Sequence, residues 1–104
     1  MWLSLDPNLG REQSGRRPFL VLSPRAYNDK TSLSVGVPIT SQRKGYPFEV
    51  PLATGSTIGG IALADQIKSV DWRARRADFA EDASPATLRS IRQLLATFLQ
   101  IDVT

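Results

Sequence analysis

Two segments of this 104-residue chain, 10–18 (GREQSGRRP) and 38–49 (PITSQRKGYPFE), gather cations, hydroxyls and one carboxylate each beside apolar runs. That combination suits a site that handles phosphate: guanidinium and ammonium groups neutralise it, hydroxyls bond its oxygens, and a carboxylate accepts a proton or orients a cation. In the first segment Gly10 and Gly15 permit sharp bends, so that Glu12, Gln13, Arg16 and Arg17 can be presented together beside Arg11. Composition alone favours a solvated surface hairpin here, because most charged loops only stay wet. In the second segment an apolar run ends in Thr40-Ser41 and a cationic turn with Lys44 follows. A hydroxyl at a strand end is usually a matter of strand propensity or turn capping. Tyr46 and Phe48 have rings that can stack on a base, although Phe48 is expected in the core. A third group is Asp65-Gln66-Ile67-Lys68 with Arg73, Arg75 and Arg76. Strand alternation puts Gln66 and Lys68 on one face and Ile67 on the other, whereas the arginines read equally well as a solvated face or an RNA-contacting one.

What is missing narrows the chemistry. The chain has no histidine and no cysteine, which removes the two-histidine ribonuclease scheme, Ser-His-Asp triads, histidine-ligated metals and thiolate zinc sites. Asp6, Asp65 and Asp71 are scattered without the spacing of a magnesium or calcium loop, so neither metal nor cofactor is expected. Thirteen Lys and Arg against ten Asp and Glu give a net charge of +3, which leans toward an anionic partner. No apolar run approaches the roughly 20 residues needed to cross a bilayer, and the start lacks the regions of a signal peptide. A soluble protein of the reducing cytoplasm is expected, without membrane association.

The elements that must hold these groups follow from pattern. Residues 2–5, 18–23, 33–40, 48–52, 58–63, 66–72 and 77–80 read as short strands bounded by turn residues, Asn28-Asp29-Lys30 among them. Strands at this spacing suggest a small barrel. Ser84-Pro85 then supplies an N-cap and a first-turn proline, after which Leu88, Ile91, Leu95 and Phe98 recur at helical spacing. One amphipathic helix of about four turns is expected, its apolar stripe on the core. The chain is long enough for one domain, residues 1–104.

In this order and at this separation, the two polar segments and the stretch 62–75 (ALADQIKSVDWRAR) resemble the MazF/PemK family of toxin endoribonucleases. The resemblance implies a mainly β, α+β fold: a small SH3-like barrel of the MazF/PemK/CcdB type with a C-terminal helix. It implies a sequence-specific, metal-independent endoribonuclease (an mRNA interferase), the toxin of a type II toxin–antitoxin pair. Arg17, just before the proline that opens the second strand, matches the family's essential arginine; Thr40 matches the threonine of its Pro-x-Thr motif, and Glu12 an assisting carboxylate. Arg11, Gln13, Arg16, Lys44, Gln66 and Lys68 are the expected RNA contacts, and Asp65 matches a structural, loop-fixing position. The implied partners are single-stranded RNA, a second copy of the chain, and an antitoxin whose acidic, disordered tail competes for the RNA groove. Members usually carry further residues, including a Gly-Asp pair, before the first strand; here Met1 leads straight into Trp2, so the first strand looks truncated.

On this reading the ribose 2′-hydroxyl attacks the adjacent phosphorus, leaving a 2′,3′-cyclic phosphate and a 5′-hydroxyl. Arg17 suits charge stabilisation and is too weak an acid in any working range to serve as base. Thr40 holds a phosphate oxygen or orients the 2′-hydroxyl, and Glu12 has the pKa range to accept a proton or else orients Arg17. The alternative is a non-catalytic module on the same fold, either a gyrase poison or an RNA binder without cleavage. Apolar Leu94, Phe98, Leu99 and Ile101 exceed what one helix stripe needs, which suggests a symmetric homodimer.

Overall fold

The structure is a computed structural model that describes residues 2–5, 17–42, 44–52 and 60–102, with the side chains of 2–5, 17 and 79–81 outside the description. In chain order the elements are β1 (Trp2–Leu5), β2 (Arg17–Val21), α1 (Arg25–Thr31), β3 (Leu33–Thr40), β4 (Glu49–Pro51), β5 (Ile61–Leu63), a 3-10 turn (Ala64–Gln66), β6 (Lys68–Asp71), β7 (Asp78–Glu81) and α2 (Pro85–Phe98). The expected mixed α and β, mainly β, class is what these elements form. All strand pairs are antiparallel, in the order β4-β5-β3-β2-β1-β7 with β6 also on β3.

β3 is the spine. One edge carries β2; the other carries β6 along Leu33–Gly36 and then β5 at Ile39 and Thr40. β5 and β6 thus act as one return strand interrupted by the 3-10 turn, whose first residue, Ala64, is fully buried. The strand expected over 66–72 is present as β6 but starts two residues later, at Lys68. The chain must turn a corner to pair with both parts of β3, and residues 64–66 take that corner as a 3-10 turn.

Successive strand residues face opposite sides, and β2 shows both faces in use. Leu20 joins Val37, Ile39, Val50, Ala62, Ala64, Ile91 and Leu95 in the larger core, while Phe19 and Val21 join Val70, flanked by Trp72 and Ala77, in the smaller. α2 begins as expected: the Ser84 side chain accepts the Thr87 backbone N–H, Pro85 opens the first turn, and Thr87, Ile91 and Leu95 are buried at four-residue spacing. It ends with Gln100 at a φ of 58°, the Gln100 N–H donating to the Thr97 carbonyl and the Ile101 N–H to that of Ala96. These bonds satisfy carbonyls that a helix end leaves orphaned. Phe98, which continues the helical stripe but also belongs to the surplus of apolar residues, is 46% exposed, in keeping with the latter.

α1 replaces the turn expected at 28–30. Ser23 Oγ donates to Asn28 Oδ1 at 2.6 Å and accepts the Val35 N–H at 2.9 Å, while Trp72 Nε1–H donates to the Asn28 carbonyl at 3.0 Å. Those partners lie up to 44 residues away, so the short helix owes its place to tertiary bonds more than to propensity. Among the described residues, no helix is long and apolar enough to cross a membrane.

Gly36 marks the tightest approach of β2 and β3. A Cβ there would lie 2.0 Å from the Leu20 carbonyl oxygen and 2.8 Å from the Phe19 ring. Gly36→Ala is expected to cost at least about 2 kcal/mol, since backbone on one side and a core ring on the other cannot both give way. Chemical denaturation measures it, and an unchanged midpoint would mean that the strand pair widens freely.

Candidate active site

The β2–β3 ladder pairs Phe19 with Pro38, Leu20 with Val37 and Val21 with Gly36. The paired residues end at Phe19 and Pro38; continued two residues further, the same register would bring Arg17, the first residue of β2, opposite Thr40, the last of β3. Facing residues on antiparallel strands lie about 5 Å apart at their Cα atoms. Thr40 is half-buried, and its Oγ1 accepts the Gln42 backbone N–H at 3.1 Å. That bond uses one lone pair and leaves the hydroxyl hydrogen, unbonded among the described residues, to reach an incoming oxygen. Glu12, Arg11, Gln13 and Arg16 lie outside the described residues.

Beyond Thr40 the chain crosses over β5 to begin β4, which runs parallel to β3 with β5 between them. This crossing carries Lys44 and Tyr46, both exposed, the latter by 64%. Phe48 is half-buried and packs on the main core, as expected, with its ring edge-on to Phe98 at 5.2 Å. Lys68 is exposed at the start of β6 and faces Gly36, on the side of β3 shared by Thr40. Four residues separate Gly36 from Thr40, about 13 Å of strand. Gln66 is exposed but sits at the end of the 3-10 turn, so it does not share a strand face with Lys68 as the alternation argument held. Asp65 is exposed in that same turn.

The arginine-rich turn falls elsewhere. Asp71 pairs with Leu33, which puts residues 72–76 at the far end of β3 from Thr40, some 20 Å of strand away. Arg73 lies over the Trp72 ring at 4.8 Å, and Asp71 Oδ1 accepts the Ala74 N–H at 2.9 Å. The position and these contacts fit a structural turn better than a part of the Arg17–Thr40 site.

Glu49 is the residue that sequence reasoning passed over. Its carboxylate accepts the backbone N–H of Gly45 at 2.9 Å and of Lys44 at 3.0 Å. The available signal was its isolation: it is the sole carboxylate of the 38–49 segment, four residues after a glycine that takes a φ of 84°.

Comparison with known proteins identifies the family to which this fold belongs. Residues 1–99 match the family described as PemK-like, MazF-like toxin of type II toxin–antitoxin system. The chain is 50% identical over 92 residues to the endoribonuclease toxin MazF of Escherichia coli K12, covering 88% of this chain and 82% of that protein. It is 36% identical over 104 residues to the endoribonuclease PemK of Escherichia coli, covering 95% of this chain and 78% of that one. Among solved structures it is similar to the MazE-MazF crystal structure (Form-II) from Deinococcus radiodurans, with a TM-score of 0.88 at 42% identity, covering 97% of this chain and 92% of that one.

Proposed function

Since this chain belongs to the PemK-like, MazF-like toxin family of type II toxin–antitoxin systems, we propose that it is an endoribonuclease cutting single-stranded RNA at a site centred on Arg17 and Thr40. The observation that supports this site is the β2–β3 register, whose continuation beyond Phe19–Pro38 would bring Arg17 opposite Thr40. A guanidinium offers two donors in a fork matched to phosphate oxygens and stays charged throughout the working range. Arg17 therefore stabilises the charge that builds on the phosphoryl oxygens as the 2′-hydroxyl attacks. Thr40, its acceptor side already bonded to Gln42, donates to a phosphate oxygen. Glu12 takes the 2′-hydroxyl proton, a role for which the chain offers no imidazole.

Attack by the neighbouring hydroxyl forms the O2′–P bond of a 2′,3′-cyclic phosphate and breaks the P–O5′ bond, the leaving 5′-oxygen taking a proton from water while Glu12 returns its own to solvent, with no outside nucleophile. Arg11, Gln13, Arg16, Lys44, Gln66 and Lys68 are the proposed RNA contacts, supported by the net charge of +3. The cytoplasm is the compartment that fits an mRNA substrate and a chain without cysteine. A cognate antitoxin with an acidic, disordered tail suits the same basic groove.

The assembly proposed is a symmetric homodimer. Phe98, Leu99 and Ile101 are 46%, 49% and 57% exposed around the end of α2, and Ile101 lines an open groove of about 780 Å3 along that helix with Leu88, Arg92 and Ala96. Leu94 is not part of this surplus; it packs partly buried on the chain's own core. Three large apolar side chains exposed within four residues are a liability in a lone monomer.

Cleavage is expected to persist in EDTA and to leave cyclic phosphate ends, read by end-labelling the fragments of a long mixed-sequence RNA. Loss of activity on chelation with recovery in magnesium would contradict the mechanism. Light scattering at micromolar concentration is expected to give twice the chain mass; a monomer cutting at full rate would remove the dimer from the account.

A further inference from the structure

The 44–48 turn is anchored more firmly than an exposed polar crossing requires. Glu49 holds the Lys44 and Gly45 amides through its carboxylate, its own N–H donates to the Tyr46 carbonyl at 3.2 Å, and the Phe48 carbonyl accepts the Ala64 N–H at 3.0 Å. Two successive N–H groups converging on one anion make a compact, charge-assisted cradle. Gly45 lets the backbone close it, with a φ of 84° and open space around its Cα. Pro47 follows Tyr46 as the first central residue of the Tyr46-to-Glu49 turn, a position proline favours. Between these anchors Tyr46 stands 64% exposed. A large ring that neither packs on the core nor swings on a loose loop offers a preformed stacking surface, beside the exposed Lys44.

Resting on the ribonuclease reading, we propose that Glu49 is a positioning residue for RNA. Its carboxylate fixes the turn so that the Tyr46 ring stacks a base of the substrate next to the Arg17–Thr40 pair and Lys44 meets a phosphate. Glu49 touches no reacting atom; it acts through Tyr46 and Lys44, and so governs which RNA is held and how tightly more than how fast the bond breaks.

The test uses two RNA probes with the full-length chain: a fluorescent mixed-sequence 2′-O-methyl RNA, which lacks the attacking hydroxyl, for affinity, and its unmodified counterpart for kinetics and mapped cut positions. Glu49→Ala is expected to weaken affinity and raise KM about tenfold, the scale of losing one stacked base, with kcat changed much less. It should also spread the cuts over more positions and speed hydrogen exchange at the Lys44 and Gly45 amides. Glu49→Gln, whose amide oxygen still accepts, should recover part of each change. Tyr46→Ala should account for most of the Glu49→Ala loss in affinity, and the double variant should lose well short of the product of the two single losses, the remainder being the Lys44 contact. Wild-type affinity and cut positions in Glu49→Ala would overturn the proposal, as would losses that multiply in the double variant. If the parent chain binds the 2′-O-methyl RNA but cuts nothing, the ribonuclease reading falls, and the affinities decide for or against Glu49 on their own.

Discussion

The antiparallel register of β2 on β3 is the constraint on which the rest depends. Leu20 and Val37 face one another, both fully buried in the main core, and on the opposite face the Phe19 ring lies against Gly36 with no room for a methyl group between the strands. A slip by one residue would turn every buried side chain of one strand toward the wrong face. Core packing therefore fixes the ladder, and the ladder fixes which residue of β2 meets the end of β3. The proposed juxtaposition of Arg17 and Thr40 would be inherited from hydrophobic packing two and three residues away. No special loop geometry is needed to create it.

The same logic explains what could be read from the chain before its fold was known. β3 was legible to the residue because eight residues alternate between turn signals, and α2 because Ser84-Pro85 and the Ile91 and Leu95 spacing are local signals. Features set by distant partners were not legible. α1 depends on Ser23, Val35 and Trp72 closing around Asn28, and the 3-10 turn at 64–66 exists because β5 and β6 must both reach β3. Among the candidate site residues, alternation predicts that Gln66 shares a strand face with Lys68, but the strand begins at Lys68 and Gln66 closes the 3-10 turn before it. Glu49 went unnoticed because its partners are backbone amides, which no residue pattern reveals.

Two elements meet the site from outside the ladder. The crossing after Thr40 is tied down at Glu49 and Phe48, and Phe48 in turn rests against Phe98 at an interplanar angle of 69°. The end of α2 that leaves Phe98 and Ile101 exposed is thus also the buttress of the turn that carries Lys44 and Tyr46. Packing and the proposed assembly and RNA surfaces share one corner of the molecule.

A double-mutant cycle on Arg17→Ala and Thr40→Val, measured as single-turnover cleavage of one RNA in EDTA with folding checked by circular dichroism, addresses the Arg17–Thr40 pair most directly. If the two residues act on one phosphate, Arg17→Ala should lose at least about a hundredfold, and the double variant should be little worse than Arg17→Ala alone, as for groups that work as a unit. Losses that multiply, or an Arg17→Ala protein that still cuts near the parent rate, would contradict the account.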